Sequence, residues 1–101
     1  MYRVIILPFA KLDIKEAALW YNSRQSGLGK RFTIHIREKV NYIKQDPHTV
    51  NIRYDEVRTA VLDVFPFIIH YIIDEAQKLI IITAVLHTSR NPDMWKSDRE
   101  F

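Results

Sequence analysis

His87, Thr88, Ser89 and Arg90 follow directly on the most hydrophobic stretch of the chain, LIIITAVL (79 to 86), and a further arginine, Arg58, stands in another β-branched run. An imidazole with an ordinary pKa of about 6.5 can take or give a proton near neutral pH. A guanidinium can hold a phosphate through two parallel hydrogen bonds. Gathered at one place, His87, Arg58 and Arg90 would suit cleavage of a phosphodiester, with the histidine as acid or base and the arginines on the phosphate. Each also has a plainer use, His87 bonded to a loop carbonyl and the arginines paired with Asp55, Glu56, Asp63 or Asp93. Metal chemistry is poorly supported, because His35, His48, His70 and His87 lie on different segments without H-x-x-x-H or H-E-x-x-H spacing and the chain has no cysteine. There is no glycine-rich phosphate loop and no G-x-S-x-G turn, so no metal and no other cofactor is expected.

These groups need elements to position them. Tyr2 to Leu7 is short and β-branched, and Pro8 closes it, which predicts a first strand. From about Ala10 to Arg24, Ile14, Ala17, Ala18 and Tyr21 fall at i, i+3, i+4 and i+7, the period of a helix with one buried face that ends near Ser26-Gly27. A second helix is predicted from Leu28 to Gln45, where Leu28, Phe32, Ile36, Val40 and Ile43 form one stripe and Asp46-Pro47 forbids continuation. Its other face carries Lys30, Arg31, Arg37, Lys39 and Lys44. The short link at Gly27 makes the two an antiparallel hairpin.

After Pro47 the pattern turns to strands at Val50 to Tyr54, Val57 to Val64, Phe67 to Ile73 and Leu79 to His87, with Asp74 to Gln77 as the last hairpin turn. Strict alternation in the final strand would put His87 on one face with Val85, Thr83 and Ile81, and Leu86 with Ala84 on the other. The order of elements predicts a single α+β domain over residues 1–101: an N-terminal strand, an antiparallel helical hairpin, then a three- to four-stranded antiparallel meander. Trp20, Tyr21, Phe32 and Trp95 are its expected core anchors. The two long strands are apolar on both parities, so both faces want cover. Two helices cover one face. The other calls for a protein partner or for a sheet curled over its own aromatics.

With 101 residues, 48% of them hydrophobic, the chain fits one core. A formal net charge of +3 favours an anionic partner, mildly. The opening MYRVIILPFA is too short in apolar residues for a signal peptide or a membrane span, so a cytoplasmic protein without membrane contact is expected.

The segments EAALWYNSRQSGLGKRF (16 to 32), YIKQDP (42 to 47), VRTAVLDVFPFIIHYII (57 to 73) and AVLHTSRNPDMW (84 to 95) resemble, in order and spacing, the RelE/ParE superfamily of toxins from type II toxin–antitoxin systems. The resemblance implies a β-α-α-β-β-β fold and a cognate antitoxin packed on the toxin as a hetero-oligomer. The candidate antitoxin-binding residues are Phe65, Phe67, Ile69 and Tyr71. RelE-like members cut messenger RNA at the ribosome without metal, a reading that would use Arg58 and His87 with Arg90. ParE-like members inhibit DNA gyrase and are not nucleases. In nuclease members a cation stands where this chain has Phe67 and Ile68, and a Lys-rich strand and a basic, tyrosine-bearing C-terminus are absent here. Phosphoryl transfer depends on such charges. The ParE-like branch is therefore the expected one, with a ribosome-dependent RNase as the alternative.

Overall fold

Pro8 opens a helix rather than merely ending a strand. Its fixed φ and missing N–H suit the first helical position, and in the computed structural model, which describes residues 1–89, helix α1 runs Pro8–Arg24 directly after strand β1 (Arg3–Ile6). Helix α2 (Leu28–Gln45) follows, then β2 (Ile52–Tyr54), β3 (Val57–Val61), β4 (Phe67–Asp74) and β5 (Leu79–His87). Gly27, at φ +87°, makes the turn between the helices, and the Asn22 side chain accepts its N–H at 2.8 Å. Gly29 sits where the helices cross: a Cβ there would lie 2.3 Å from the Ala18 carbonyl oxygen. Only a glycine lets the two backbones approach so closely.

The sheet order is β1-β5-β4-β3-β2. The expected antiparallel meander is present from β2 to β5, and β1 adds beside β5 in parallel, with Ile5 opposite Ile81. Both helices pack on one face, over a core that contains Phe32, Ile36, Ile43, Phe65, Ile69, Tyr71, Ile80, Ile82 and Val85. Within it the Tyr21 and Phe32 rings lie 5.3 Å apart, and Tyr21 meets the edge of Phe65 at 4.9 Å.

Two details differ from strict alternation. Opposite His70 and Tyr71 the pairing jumps from Ala84 to Ile82, leaving Thr83 as an extra residue whose hydroxyl donates to the His70 carbonyl at 3.3 Å. This bulge shifts parity, so His87 shares the helix-covered face with Val85, Ile82 and Ile80 and not with Thr83 and Ile81. The second face is not left open along the central strands either. Ile68, His70, Ala84 and Leu86 are all buried, and Tyr54 packs against this layer. Among the described residues no helix is long and apolar enough to cross a membrane.

Candidate functional site

Arg58 and His87 sit at separate ends of the helix-covered face. Arg58 pairs with Tyr71 and His87 with Phe67, four residues away along β4 and on the opposite side of it. Four strand residues span roughly 13 Å, and the two intervening strand spacings add roughly 10 Å laterally. In this arrangement the two side chains do not share a site, since each is bonded where it stands.

Each is also committed locally. The Arg58 guanidinium donates to the carbonyls of Val50 at 2.6 Å and His48 at 3.4 Å. Beside it the Tyr71 hydroxyl donates to the Pro47 carbonyl at 2.7 Å. Together they fasten the chain leaving α2 to the sheet. Burial pushes the Tyr71 phenol up to about 12, with Arg58 pulling the other way. At the other end, Nδ1 of His87 accepts the Ser89 backbone N–H at 3.0 Å and lies 2.8 Å from the Ser89 hydroxyl. A backbone N–H can only donate, so Nδ1 is the acceptor nitrogen and the proton of the neutral ring belongs on Nε2. The nitrogen that could act as a base is thus already occupied.

The described surroundings of His87 are acidic. It borders a cleft of about 230 Å³ whose described lining is Asp13, Glu16, Ala17, Phe67, Val85 and Leu86, two carboxylates without a lysine or arginine. Asp13 spends one oxygen on the Val85 N–H at 3.0 Å, closing part of β5 that β1 does not reach. Among the described residues no charge there would attract a phosphodiester. Arg90 and Trp95 lie outside the described residues.

The expected partner-binding residues need correction. Phe65, Ile69 and Tyr71 are buried, and Phe67 joins them through ring contacts with Tyr21 and Phe32 at 6.1 and 5.1 Å. They face the chain's own helices, because that parity of β4 is the helix-covered one. Trp20 is corrected in the opposite sense. It is 54% exposed, since neighbouring helix positions point about 100° apart and Tyr21 takes the inward direction.

Accessible apolar surface lies elsewhere. Ile6, Ile14, Ile36 and Val40, with Thr33 and Arg37, line a groove of about 280 Å³ between the helical hairpin and β1. Since the N–H groups of Arg3 and Leu7 bond the carbonyls of Lys78 and Ile82 on the β5 side, those of Val4 and Ile6 point to the outer edge of the sheet. This arrangement can accept an extended segment as a further strand, with apolar side chains seated in the groove. Residues 4–92 match the family model described as the ParE toxin of the type II toxin–antitoxin system parDE.

The chain belongs to the ParE toxin family. Its fold is that of the RelE/ParE superfamily, shared at a TM-score of 0.77 with a chain of the chromosomal ParDE toxin–antitoxin system from P. aeruginosa, at 19% identity over 88% of this chain and 98% of that one. The isolated E. coli RelE toxin superposes at 0.68, with 11% identity over 97% of this chain and 96% of that one. A chain of the RelBE2 toxin–antitoxin complex from Mycobacterium tuberculosis gives 0.61, with 14% identity over 85% of this chain and 96% of that one. No sequence among curated proteins matches. In this ParE toxin, reading the sequence alone missed the groove and the outward side of α1. The second was visible in principle, because Leu12, Leu19 and Trp20 recur at i, i+7 and i+8, a second apolar stripe beside the one that builds the core.

Proposed function

We propose that this toxin inhibits growth by binding DNA gyrase as a stoichiometric inhibitor, and that a cognate antitoxin neutralises it in a hetero-oligomeric complex by laying an extended segment into the groove beside β1. The observation that carries the reading is the separation of Arg58 from His87. One is spent on the carbonyls of Val50 and His48, the other on Ser89 beside two carboxylates. A metal-independent nuclease needs its proton-transfer group and its cations around one phosphate. A binder needs only surface.

The test pairs two assays, gyrase supercoiling and ribosome-dependent cleavage of a reporter message, each with wild type and His87→Ala. General acid–base catalysis is worth about 10²- to 10⁴-fold, so a nuclease using His87 would lose that factor. We expect supercoiling to be inhibited, no cleavage, and His87→Ala to remain toxic. If His87→Ala keeps its fold and its antitoxin binding but loses toxicity, and wild type cuts the message, the RNase reading takes over.

A further inference from the structure

Strand β1 has little backbone to hold it. It is 4 residues long, lies at the edge of the sheet, and among the described residues its one strand partner is β5. Val4 and Ile6 pack against the core, while Arg3 and Ile5 are exposed. A short edge strand of this kind opens locally at small cost. Its start is held by a cluster of side chains. Tyr2 donates its hydroxyl to Glu75, 2.9 Å from Oε1 and 3.1 Å from Oε2. Glu75 lies in the turn between β4 and β5. His48, in the segment leaving α2, places Nε2 2.7 Å from Glu75 Oε1, and Lys78 brings Nζ to 3.2 Å from Oε2. A carboxylate can only accept, so the His48 nitrogen that faces it carries a proton. The Tyr2 and His48 ring centroids are 6.3 Å apart, and Lys78 Nζ lies 5.2 Å from the centre of the Tyr2 ring.

Two sides of this cluster are anchored without it. In the turn, the Asp74 carboxylate accepts the Gln77 N–H at 3.1 Å and the Gln77 side-chain amide at 3.2 Å. The segment after α2 is fastened by the Tyr71 hydroxyl on the Pro47 carbonyl and by the Arg58 guanidinium on the His48 carbonyl. Glu75 and His48 are therefore presented from fixed backbone, and the part left for the cluster to hold is Tyr2, the residue that leads into β1.

Of its titratable groups, three keep one charge state around neutral pH. The Glu75 carboxyl is held below its ordinary 4.5 by the Tyr2 hydroxyl first and then by Lys78. The Tyr2 phenol is raised above 10.0 by partial loss of solvent and by Glu75, and the Lys78 ammonium above 10.5 by its bond to Glu75. An imidazole changes charge near pH 6.5, so His48 is the member that can switch there. Protonated, it makes a charge-assisted contact, roughly twice as strong as a neutral one. Neutral, it can carry its proton on Nδ1 and leave Glu75 without that donor. We infer that Tyr2, His48, Glu75 and Lys78 form a pH-sensitive clasp on the edge strand: protonation of His48 closes the start of β1 onto the sheet, and loss of that proton lets it open. The imidazole's contribution is present at lower pH and is lost as pH rises through its range. That of Glu75 is lost only as pH falls below 4.5. The clasp belongs to the fold and stands whichever target the toxin meets.

The experiment uses the full chain as wild type, His48→Gln, Glu75→Gln and Tyr2→Phe. Amide hydrogen exchange is followed by NMR at about pH 5.5 and about pH 8, either side of the imidazole range, and corrected for the intrinsic pH dependence of exchange. The reporters are the amides of Arg3 and Leu7, which bond the carbonyls of Lys78 and Ile82, with buried Ile69 at the centre of the sheet as control. His48 and Glu75 are half exposed, at 49% and 50%, so the effect is modest. In wild type Arg3 should be about threefold better protected at the lower pH, within the range an exposed ion pair carries, with Leu7 less affected and Ile69 unchanged. His48→Gln keeps an N–H donor but cannot titrate, and should abolish that ratio. Glu75→Gln and Tyr2→Phe should lower the protection of Arg3 at both pH values. Equal protection of Arg3 at the two pH values in wild type overturns the inference. So does a ratio that survives His48→Gln, which assigns it to another group, or one that Ile69 shares, which makes it a property of the whole fold. If Glu75→Gln leaves Arg3 as well protected as in wild type, the carboxylate holds nothing and the clasp falls.

Discussion

The two helices of the hairpin are nearly equal in length and opposite in design. In α2 one stripe, Phe32, Ile36 and Ile43 with Leu28 and Val40, packs on the sheet, while Lys30, Arg31, Arg37 and Lys44 face solvent. In α1 the fully buried positions are small, Ala10 and Ala17, with Ile14 and Tyr21 packed beside them, and further bulk lies on the outside in Leu12, Leu19 and Trp20. Small inner residues bring α1 close to its neighbours, as the Gly29–Ala18 approach shows. Large outer residues contribute little to folding.

The sharpest way to break this comparison is to place a charge on each stripe. Ile36 is 4% exposed, so Ile36→Asp buries a carboxylate without a partner and should cost about 4 kcal/mol or more, most of the stability of a domain this size. Leu19→Asp should change stability by less than about 0.5 kcal/mol. Urea melts followed by circular dichroism decide it. Similar losses from both would mean that the outer face of α1 is part of the fold.

Truncating aromatics asks the same question with no charge involved. Phe32 is fully buried and touches Tyr21, Phe65 and Phe67, so Phe32→Ala should cost about 3–5 kcal/mol. Trp20 is the larger side chain, yet Trp20→Ala should cost less than about 1 kcal/mol, because it gives up mainly its contact with Tyr21. A Trp20→Ala loss as large as that of Phe32→Ala would restore the tryptophan to the core.

The helices also show what the sequence makes legible. The period of α2 and its Asp-Pro stop place that helix to the residue, because one apolar stripe and one backbone constraint act together. In α1 the inner stripe is equally legible, but the bulk of Trp20 suggests an anchor, and only the 100° step from Tyr21 shows that both cannot point inward. Strand existence follows from β-branched runs. The bulge at Thr83 does not, since no glycine marks it, nor do the left-handed turns at Asp55, Glu56 and Lys78, held by residues that seldom take φ of +43°, +67° and +53°. The place of β1 beside β5 depends on a contact more than 70 residues away in sequence, beyond any local signal. The candidate site suffered most. Arg58 and His87 are both legible as chemical groups, but the distance between them is set by register, and register is tertiary.

The smallest effect concerns how each helix ends. α1 leaves through Gln25, whose N–H bonds the Tyr21 carbonyl within the helix itself, whereas the exit of α2 is tied to the sheet by the Tyr71 hydroxyl on the Pro47 carbonyl. Tyr71→Phe removes one hydrogen bond and leaves a buried carbonyl short of a donor, a loss of about 1 kcal/mol. It should also change the response to alkali. In the folded state the Tyr71 phenol is raised from the ordinary 10.0 to about 12, so it keeps its proton where the unfolded chain has already released one. Its contribution is therefore complete below pH 10 and declines as pH rises from 10 to 12. Wild type should lose stability across that window more steeply than Tyr71→Phe, in which this group is absent. Melts at stepped pH, with the two slopes compared, measure it. If the slopes coincide, the phenol is not held protonated by burial, and the exit of α2 is no better anchored than that of α1.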